Sequence, residues 1–405
     1  MQVQTIIKNT DHRRMEALNQ GFSQAFGYQP ERYFSAPGRT EICGNHTDHQ
    51  RGRVLAAAVD LDAMAAAAEN GTEVLRVQSE GYPRCEISLR ELGIRKDEKN
   101  TTPALIRGVA ARFVELGWKL RGLDLYISSQ VLPGSGLSSS AAFEVLVGAV
   151  LNGMFCGGKI SDPEIAQIAQ YAENVYFGKP SGLMDQMASS VGNLVEIDFG
   201  DTAHPEITPL DFDFSATGYA LCIIDSQASH ADLTDEYTAI PVEMKAVAAY
   251  FGKEVLSQVP EAEFYAAIPA LRQQCGDRAV LRAFHFYQEN KRVPRACEAL
   301  RRGDFQGFLE VLRQSGYSSY MYLQNVTPAG DVAHQDMAVT LALCEQLLEG
   351  EGSYRVHGGG FAGTCQAFVP LEKLERFRNG IDGALGQGAC HVLSIRAVGG
   401  AEVRA

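Results

Sequence analysis

The sequence predicts a mixed α/β (α+β) chain built as two lobes, and three observations carry that expectation. A strand, a glycine turn and an apolar helix follow one another between residues 123 and 157. A strand, a second glycine turn and a further strand occupy 353–369, and the stretch from 240 to 350 ahead of them reads as mostly helical. A mixed polar stretch at 195–215, holding Pro205 and Pro209, divides the chain into halves of similar length, 1–205 and 206–405.

Taken in order, residues 33–35 and 54–68 read as strands, the second being the run Val54-Leu55-Ala56-Ala57-Ala58-Val59 continued by Ala63 to Ala68. The segment 37–53 between them is expected to be a polar loop, with more ionisable chemistry than a plain connection needs. Leu123, Leu125 and Ile127 alternate as a half-buried strand requires and run into Pro133-Gly134-Ser135-Gly136-Leu137-Ser138-Ser139-Ser140. In the helix that follows, Phe143, Leu146, Val147, Val150, Leu151, Met154 and Phe155 recur with a 3.6-residue period, and Gly157-Gly158 stops it. Asp162-Pro163 opens another helix with proline at its first position, Gly178-Lys179-Pro180 ends it, and Glu173 borders its apolar face. Residues 219–224 read as a buried strand, 292–312 as one amphipathic helical segment, and 353–356 and 364–369 as strands joined by the glycine turn 357–363.

The 405 residues are 45% hydrophobic and 21% charged, enough to bury a large core, which excludes a disordered or fibrous chain. Lys plus Arg (36) against Asp plus Glu (49) leaves −13, a balance that repels phosphate backbones and anionic lipid, so neither nucleic acid nor membrane is an expected partner. Nine scattered cysteines without a C-x-x-C pair argue against a disulfide framework or a structural zinc. The first twenty residues lack the apolar core of a signal peptide, and the expected location is the cytoplasm. Nothing in the patterning reports an interface, so a monomer is expected.

Three segments carry candidate chemistry. The loop 134–140 feeds a helix N-terminus, where unpaired backbone N–H groups and partial positive charge suit a phosphate; a merely serine-capped helix is the alternative. It is no Walker A loop, since the lysine is missing. Residues 358–363 match G-x-G-x-x-G literally, but a strand follows where a dinucleotide site needs a helix, and no G-x-S-x-G accompanies them for a hydrolase. The segment Arg39-Thr40-Glu41-Ile42-Cys43-Gly44-Asn45-His46-Thr47-Asp48-His49 mixes a cation, carboxylates, an amide and imidazoles, as a polyhydroxylated ligand requires; a metal held by His46, Asp48 and His49 is the rival. For Asp185 a plain helix N-cap is the alternative reading, and for Glu173 a helix-surface carboxylate.

In this order the segments resemble the galactokinases of the GHMP kinase superfamily. The galactokinase run G-R-x-N-L-I-G-E-H-T-D-Y-N-x-G is met by Gly38 to Gly52, G-x-G-L-S-S-S-A by Gly134 to Ala141, and the glycine-rich third motif by Arg355 to Gly363. Ala172-Glu173-Asn174 and Gly182-Leu183-Met184-Asp185-Gln186 match as well. The resemblance implies the two-lobed GHMP kinase fold with the active site between the lobes, and ATP-dependent phosphorylation of the anomeric hydroxyl of galactose to galactose 1-phosphate. It implies Arg39 and Asp185 as catalytic residues and Gly134, Ser135, Gly136, Leu137, Ser138, Ser139 and Ser140 around the ATP phosphates. Ser140 and Glu173 would hold Mg²⁺, and Asn45, His46, Asp48, Gly182 and Tyr237 would contact the sugar.

Departures concern the sugar. Asn45 stands at the motif's Glu, thought to meet the 6-hydroxyl, while His49 and Gln50 replace its Tyr and Asn. An amide at position 45 would tolerate a 6-carboxylate, so the alternatives are a 1-kinase for galacturonate, N-acetylgalactosamine or arabinose, or a non-catalytic sugar and ATP sensor. Thr238-Ala239-Ile240-Pro241 replaces the basic pair that usually follows the Tyr237 position, and Gly316 replaces a typical histidine.

Overall fold

A computed structural model describes residues 12–131, 136–179, 181–202, 204–228 and 233–403. Strands β1 (Arg32–Cys43), β2 (Arg53–Glu69), β3 (Val74–Ser79), β4 (Cys85–Ser88), β5 (Leu123–Ser129), β6 (Leu194–Asp198) and β7 (Glu206–Leu210) belong to one sheet. Strands β8 (Tyr219–Asp225), β9 (Ser353–Val356), β10 (Thr364–Pro370) and β11 (Cys390–Leu393) form a second, and β12 (Ala401–Val403) returns to the first beside β1. The chain between Thr234 and Leu348 is mostly helical, as the sequence leads one to expect, and the helices Phe305–Ser318 and Asp336–Leu348 pack on the second sheet.

Small side chains explain the packing of the first lobe. Ala56 to Ala58 and Ala65 to Ala68 on β2 are fully buried, and their lack of bulk lets the helix Ser139–Cys156 press onto the sheet through Val145, Leu146, Val150 and Leu151. Each such side chain contributes about 1.5–3 kcal/mol relative to exposure. This helix is long and apolar enough to cross a membrane, but most of it is sheathed by the fold and serves as a core helix.

Three expectations are corrected. The polar loop expected at 37–53 is strand as far as Cys43: β1 pairs with β2 from Arg32↔Ala67 to Cys43↔Leu55, with bulges between Pro37 and Arg39 and between Glu41 and Cys43. Its polar residues are buried between the lobes, where ladder bonds satisfy the backbone and the opposite lobe satisfies the side chains. The single helical segment expected at 292–312 is two helices, because Gly303 at φ 71° ends the first and the Asp304 carboxylate caps the second at the Gly307 N–H, 2.8 Å. The division at 205/206 also falls inside a sheet: β7 continues the pairing of β6, and the last strand rejoins β1.

Between the lobes, the second half of β1 is gripped by the second sheet. Gln366 on β10 donates to the Thr40 hydroxyl at 2.6 Å and the Glu41 carbonyl at 3.1 Å. The Glu41 N–H donates to His357 Nε2 at 3.3 Å, and Arg355 Nη1 reaches the Ile42 carbonyl at 2.6 Å. Because its Nε2 accepts, His357 carries its proton on Nδ1 and donates it to Thr364 Oγ1 at 2.8 Å. Burial and the neighbouring guanidinium groups of Arg39 and Arg355 push its pKa well below that of an ordinary histidine, so the ring is neutral.

Candidate active site

Arg39 on β1 and Asp185 in the first turn of the helix Met184–Val191 meet where the lobes join. Arg39 Nε donates to one carboxylate oxygen and Nη2 to the other, both at 2.7 Å, a two-pronged contact that fixes the plane of each group. Arg39 Nη1 also reaches the Gly136 carbonyl, and the Ser138 hydroxyl donates to Asp185 at 2.8 Å. Burial works against a charge on Asp185, but Arg39 and the Ser138 hydroxyl outweigh it and hold the carboxyl below the usual range. Asp185 is therefore ionised at neutral pH, and as the second residue of its helix it is not the N-cap.

The Ser138 contact removes the side-chain cap that was the alternative for the loop. Ser138 occupies the N-cap of the helix Ser139–Cys156 in a left-handed conformation, φ 57°, and makes no side-chain cap. Its hydroxyl is turned to Asp185, which leaves the first N–H groups of an 18-residue helix open for an anion. Gly136, at φ 72°, lies where a Cβ would sit 2.6 Å from Thr364 Oγ1, so the loop hugs the second lobe. The donor set fits a phosphate chain. Gly134 and Ser135 lie outside the described residues.

Behind the loop, Glu173 in the π-helical turn Ala172–Phe177 is nearly fully buried. Its carboxylate accepts from Ser181 Oγ at 2.5 Å, Gln186 Nε2 at 2.8 Å and Lys179 Nζ at 3.1 Å, and lies 3.5 Å from Ser140 Oγ. One carboxylate and one hydroxyl at that spacing suit Mg²⁺, which takes its remaining ligands from phosphate and water. Among the described residues no cluster of three His, Cys, Asp or Glu side chains could hold a metal without such help. Glu144 lies beneath: burial, then the charge of Glu173, push its pKa well above normal.

A cleft of about 240 Å³ opens beside Arg39 and Asp185. Glu41, His46, Asp48, Gly182 and Gly359 contribute to its walls. A larger groove of about 560 Å³ beside Phe212 and Leu371 is flanked by Asp211 and Asp213, and among the described residues no cation lines it. His46 is forced to φ 58° and its Nε2 donates to the Gly359 carbonyl at 3.0 Å. Burial, then the neighbouring His49, lower its pKa to about 4, which leaves Nδ1 an acceptor. Gly182 admits Asp48: a Cβ there would lie 2.7 Å from Asp48 Oδ2.

Two residues assigned to the sugar are placed differently from their neighbours. Tyr237 stands behind the glycine turn, its hydroxyl donating to the Gly360 carbonyl at 2.9 Å and its ring meeting Phe361 at 5.5 Å. Asn45 touches the cleft wall but is fully buried and its amide is turned into the protein. Its Nδ2 reaches Gly358 O at 2.7 Å and Glu41 at 3.1 and 3.2 Å, and Asn325 donates to its Oδ1 at 2.8 Å. Sequence reasoning counted Glu41 among the polar residues of the 39–49 segment without giving it a role of its own, and missed Ser138 as the Asp185 partner and Lys179. Glu41 lies two residues from Arg39 and so on the same strand face, a signal hidden by reading 37–53 as loop.

Residues 104–193 match the GHMP kinases N terminal domain, and residues 20–69 match the galactokinase galactose-binding signature. A galactokinase of Streptomyces coelicolor is 30% identical over 367 residues, covering 91% of this chain and 92% of that one. A galactokinase of Glaesserella parasuis is 32% identical over 360 residues, covering 88% and 90%. Among solved structures, the Lactococcus lactis galactokinase complexed with galactose superposes with a TM-score of 0.79 at 26% identity, covering 95% of this chain and 99% of that one. The Methanococcus jannaschii mevalonate kinase shares the fold, with a TM-score of 0.64 at 14% identity over 90% and 98% of the chains. With that identity sustained over nine-tenths of its length, the chain belongs to the galactokinase family of the GHMP kinases and is a sugar phosphotransferase.

Proposed function

We propose that the chain transfers the γ-phosphoryl group of ATP to the anomeric hydroxyl of galactose, releasing galactose 1-phosphate and ADP. The observation that carries this reading is the Arg39–Asp185 pair, set between the open helix N-terminus at 136–140 and the polar cleft. Phosphoryl transfer needs alignment and charge neutralisation more than covalent help. The N–H groups at the start of the helix Ser139–Cys156 hold the phosphates, and Asp185 orients the anomeric hydroxyl in line with them. With its carboxyl held low, Asp185 accepts the proton late, as the new oxygen–phosphorus bond makes the hydroxyl acidic. Arg39 then shares its donors between Asp185 and the transferring phosphoryl oxygens. Ser140 and Glu173 would hold Mg²⁺, which supplies neutralising charge at the phosphates.

Within the cleft, Asp48, His46 and the backbone of Gly182 are the sugar-facing groups of this reading, with Tyr237 bracing the turn behind them. The uronate alternative loses its motive, because the Asn45 amide is consumed inside the protein. The test is ADP release with Mg²⁺ and ATP against galactose, N-acetylgalactosamine, galacturonate, arabinose and glucose. Turnover restricted to galactose supports the assignment; turnover confined to another sugar of the panel overturns it.

A further inference from the structure

Asn45 has no hydrogen-bonding capacity left for a ligand. Its two N–H bonds are directed at the Gly358 carbonyl and the Glu41 carboxylate, and its oxygen accepts from Asn325 at 2.8 Å and from the Ser319 hydroxyl at 3.4 Å. Glu41 differs. Its Oε1 takes Arg355 Nη2 at 2.7 Å together with Asn45, whereas among the described residues its Oε2 has only the Asn45 contact at 3.1 Å. A carboxylate offers about four acceptor sites, so Oε2 keeps room for a hydroxyl, and the residue lines the same cleft as Arg39, Asp48 and Asp185.

Register adds the distance. Arg39, Thr40 and Glu41 pair in unbroken order with Ala58, Ala57 and Ala56, so Arg39 and Glu41 point to one face, about 7 Å apart along the strand. That is close to the span of one pyranose ring. A sugar with its anomeric hydroxyl at Asp185 therefore presents its opposite edge to Glu41. Relative to the galactokinase run, where Asn stands at position 41 and Glu at 45, the amide and the carboxylate have exchanged places, and their direct contact keeps the pair together.

We infer that Glu41, and not Asn45, reads the far edge of the sugar, accepting a neutral hydroxyl and rejecting acceptors that carry a carboxylate there. This rests on the sugar-kinase reading and names the specificity residue within it. A second carboxylate beside Glu41 would crowd a like charge against the single guanidinium of Arg355 that already pairs with it, which discriminates by repulsion as well as by the lost hydrogen bond.

The test is equilibrium binding of galactose and of galacturonate, measured by calorimetry on the wild-type chain and on Glu41→Gln and the exchange variant Glu41→Asn/Asn45→Glu, with thermal unfolding and ATP affinity followed in parallel. The glutamine keeps an acceptor for Arg355, so folding and ATP affinity should persist. Galactose affinity should drop about tenfold, and the preference for galactose over galacturonate should narrow by tenfold or more. The exchange variant should not recover the preference, because position 45 turns into the protein and not into the cleft; recovery would place the reading at position 45 and overturn the inference. An unchanged preference in folded Glu41→Gln overturns the inference. Wild-type galactose binding without ADP release overturns the kinase reading instead, and leaves the Glu41 comparison readable; no galactose binding by the wild type overturns both.

Discussion

Arg39 and Asp185 hold each other through two parallel hydrogen bonds of 2.7 Å, across 146 residues of sequence and at the junction of the two lobes. The pair is set before any substrate arrives, because Ser138 and the Gly136 carbonyl fix its two ends. Reorganisation at the moment of reaction is correspondingly small.

The first prediction concerns Asp185→Asn. The amide keeps the shape and the Ser138 contact but cannot accept a proton, so kcat should fall by about 10³-fold, within the range of lost acid–base catalysis. ATP affinity, measured by titration calorimetry, should change less than threefold. Retention of most of the turnover would remove Asp185 from the reaction.

Glu173→Gln tests the metal assignment. Removing the carboxylate charge while preserving the Ser181 contact should raise the free Mg²⁺ needed for half-maximal rate by about tenfold, a loss of about 1.4 kcal/mol in binding. Rates measured against free Mg²⁺ at fixed ATP decide it, and an unshifted curve would take Glu173 off the metal. Ser140→Ala should shift the curve in the same direction by less, since it removes a neutral ligand.

Much of this was legible in the sequence because the signals are local. The period of Phe143 to Phe155, the glycines that stop that helix, and Pro163 at a helix start are each read within a few residues, and the structure places helices at Ser139–Cys156 and Asp162–Tyr171. What escaped was long-range. The second half of β1 was hidden because its residues Arg39, Glu41 and Cys43 are satisfied by Asp185, Arg355 and Glu289, groups between 146 and 314 positions away. A strand buried between lobes reads as a polar loop when its partners cannot be seen. The direction of the Asn45 amide is of the same kind, since Asn325 and Gly358 lie about three hundred residues further on.

Gly182→Ala probes the space at the sugar wall. The backbone there is not left-handed, so the change costs little in backbone strain, but the added methyl carbon would stand 2.7 Å from Asp48 Oδ2 and push it aside. KM for galactose should rise about tenfold with KM for ATP unchanged, the signature of lost ground-state binding on one substrate only. Equal rises in both would place the damage in the lobe junction.

Acid stability tests the network at the C-terminal end of β1. Glu289, fully buried on the helix Asp277–Arg301, accepts from the Gly44 N–H at 3.0 Å, the Ser315 hydroxyl at 2.5 Å and Arg292 at 3.0 Å. Burial opposes its charge, but His285, Arg292, Arg355 and the Ser315 hydroxyl together draw the carboxyl down from 4.5 to about 2. A carboxyl lower in the folded than in the unfolded chain contributes stability that is fully present above the unfolded value and lost as pH falls through the folded one. The Glu289 contribution should therefore be intact at pH 7 and drain away between pH 4.5 and about 2. Glu289→Gln, which leaves Arg292 and Arg355 without that charge, should cost about 3 kcal/mol at pH 7 and less as the pH is lowered, when the wild type loses the same contribution. Urea unfolding at pH 7, 5 and 3.5 measures this directly: the two stability curves should converge toward acid, and parallel curves would show that Glu289 is ionised equally in the folded and unfolded chain.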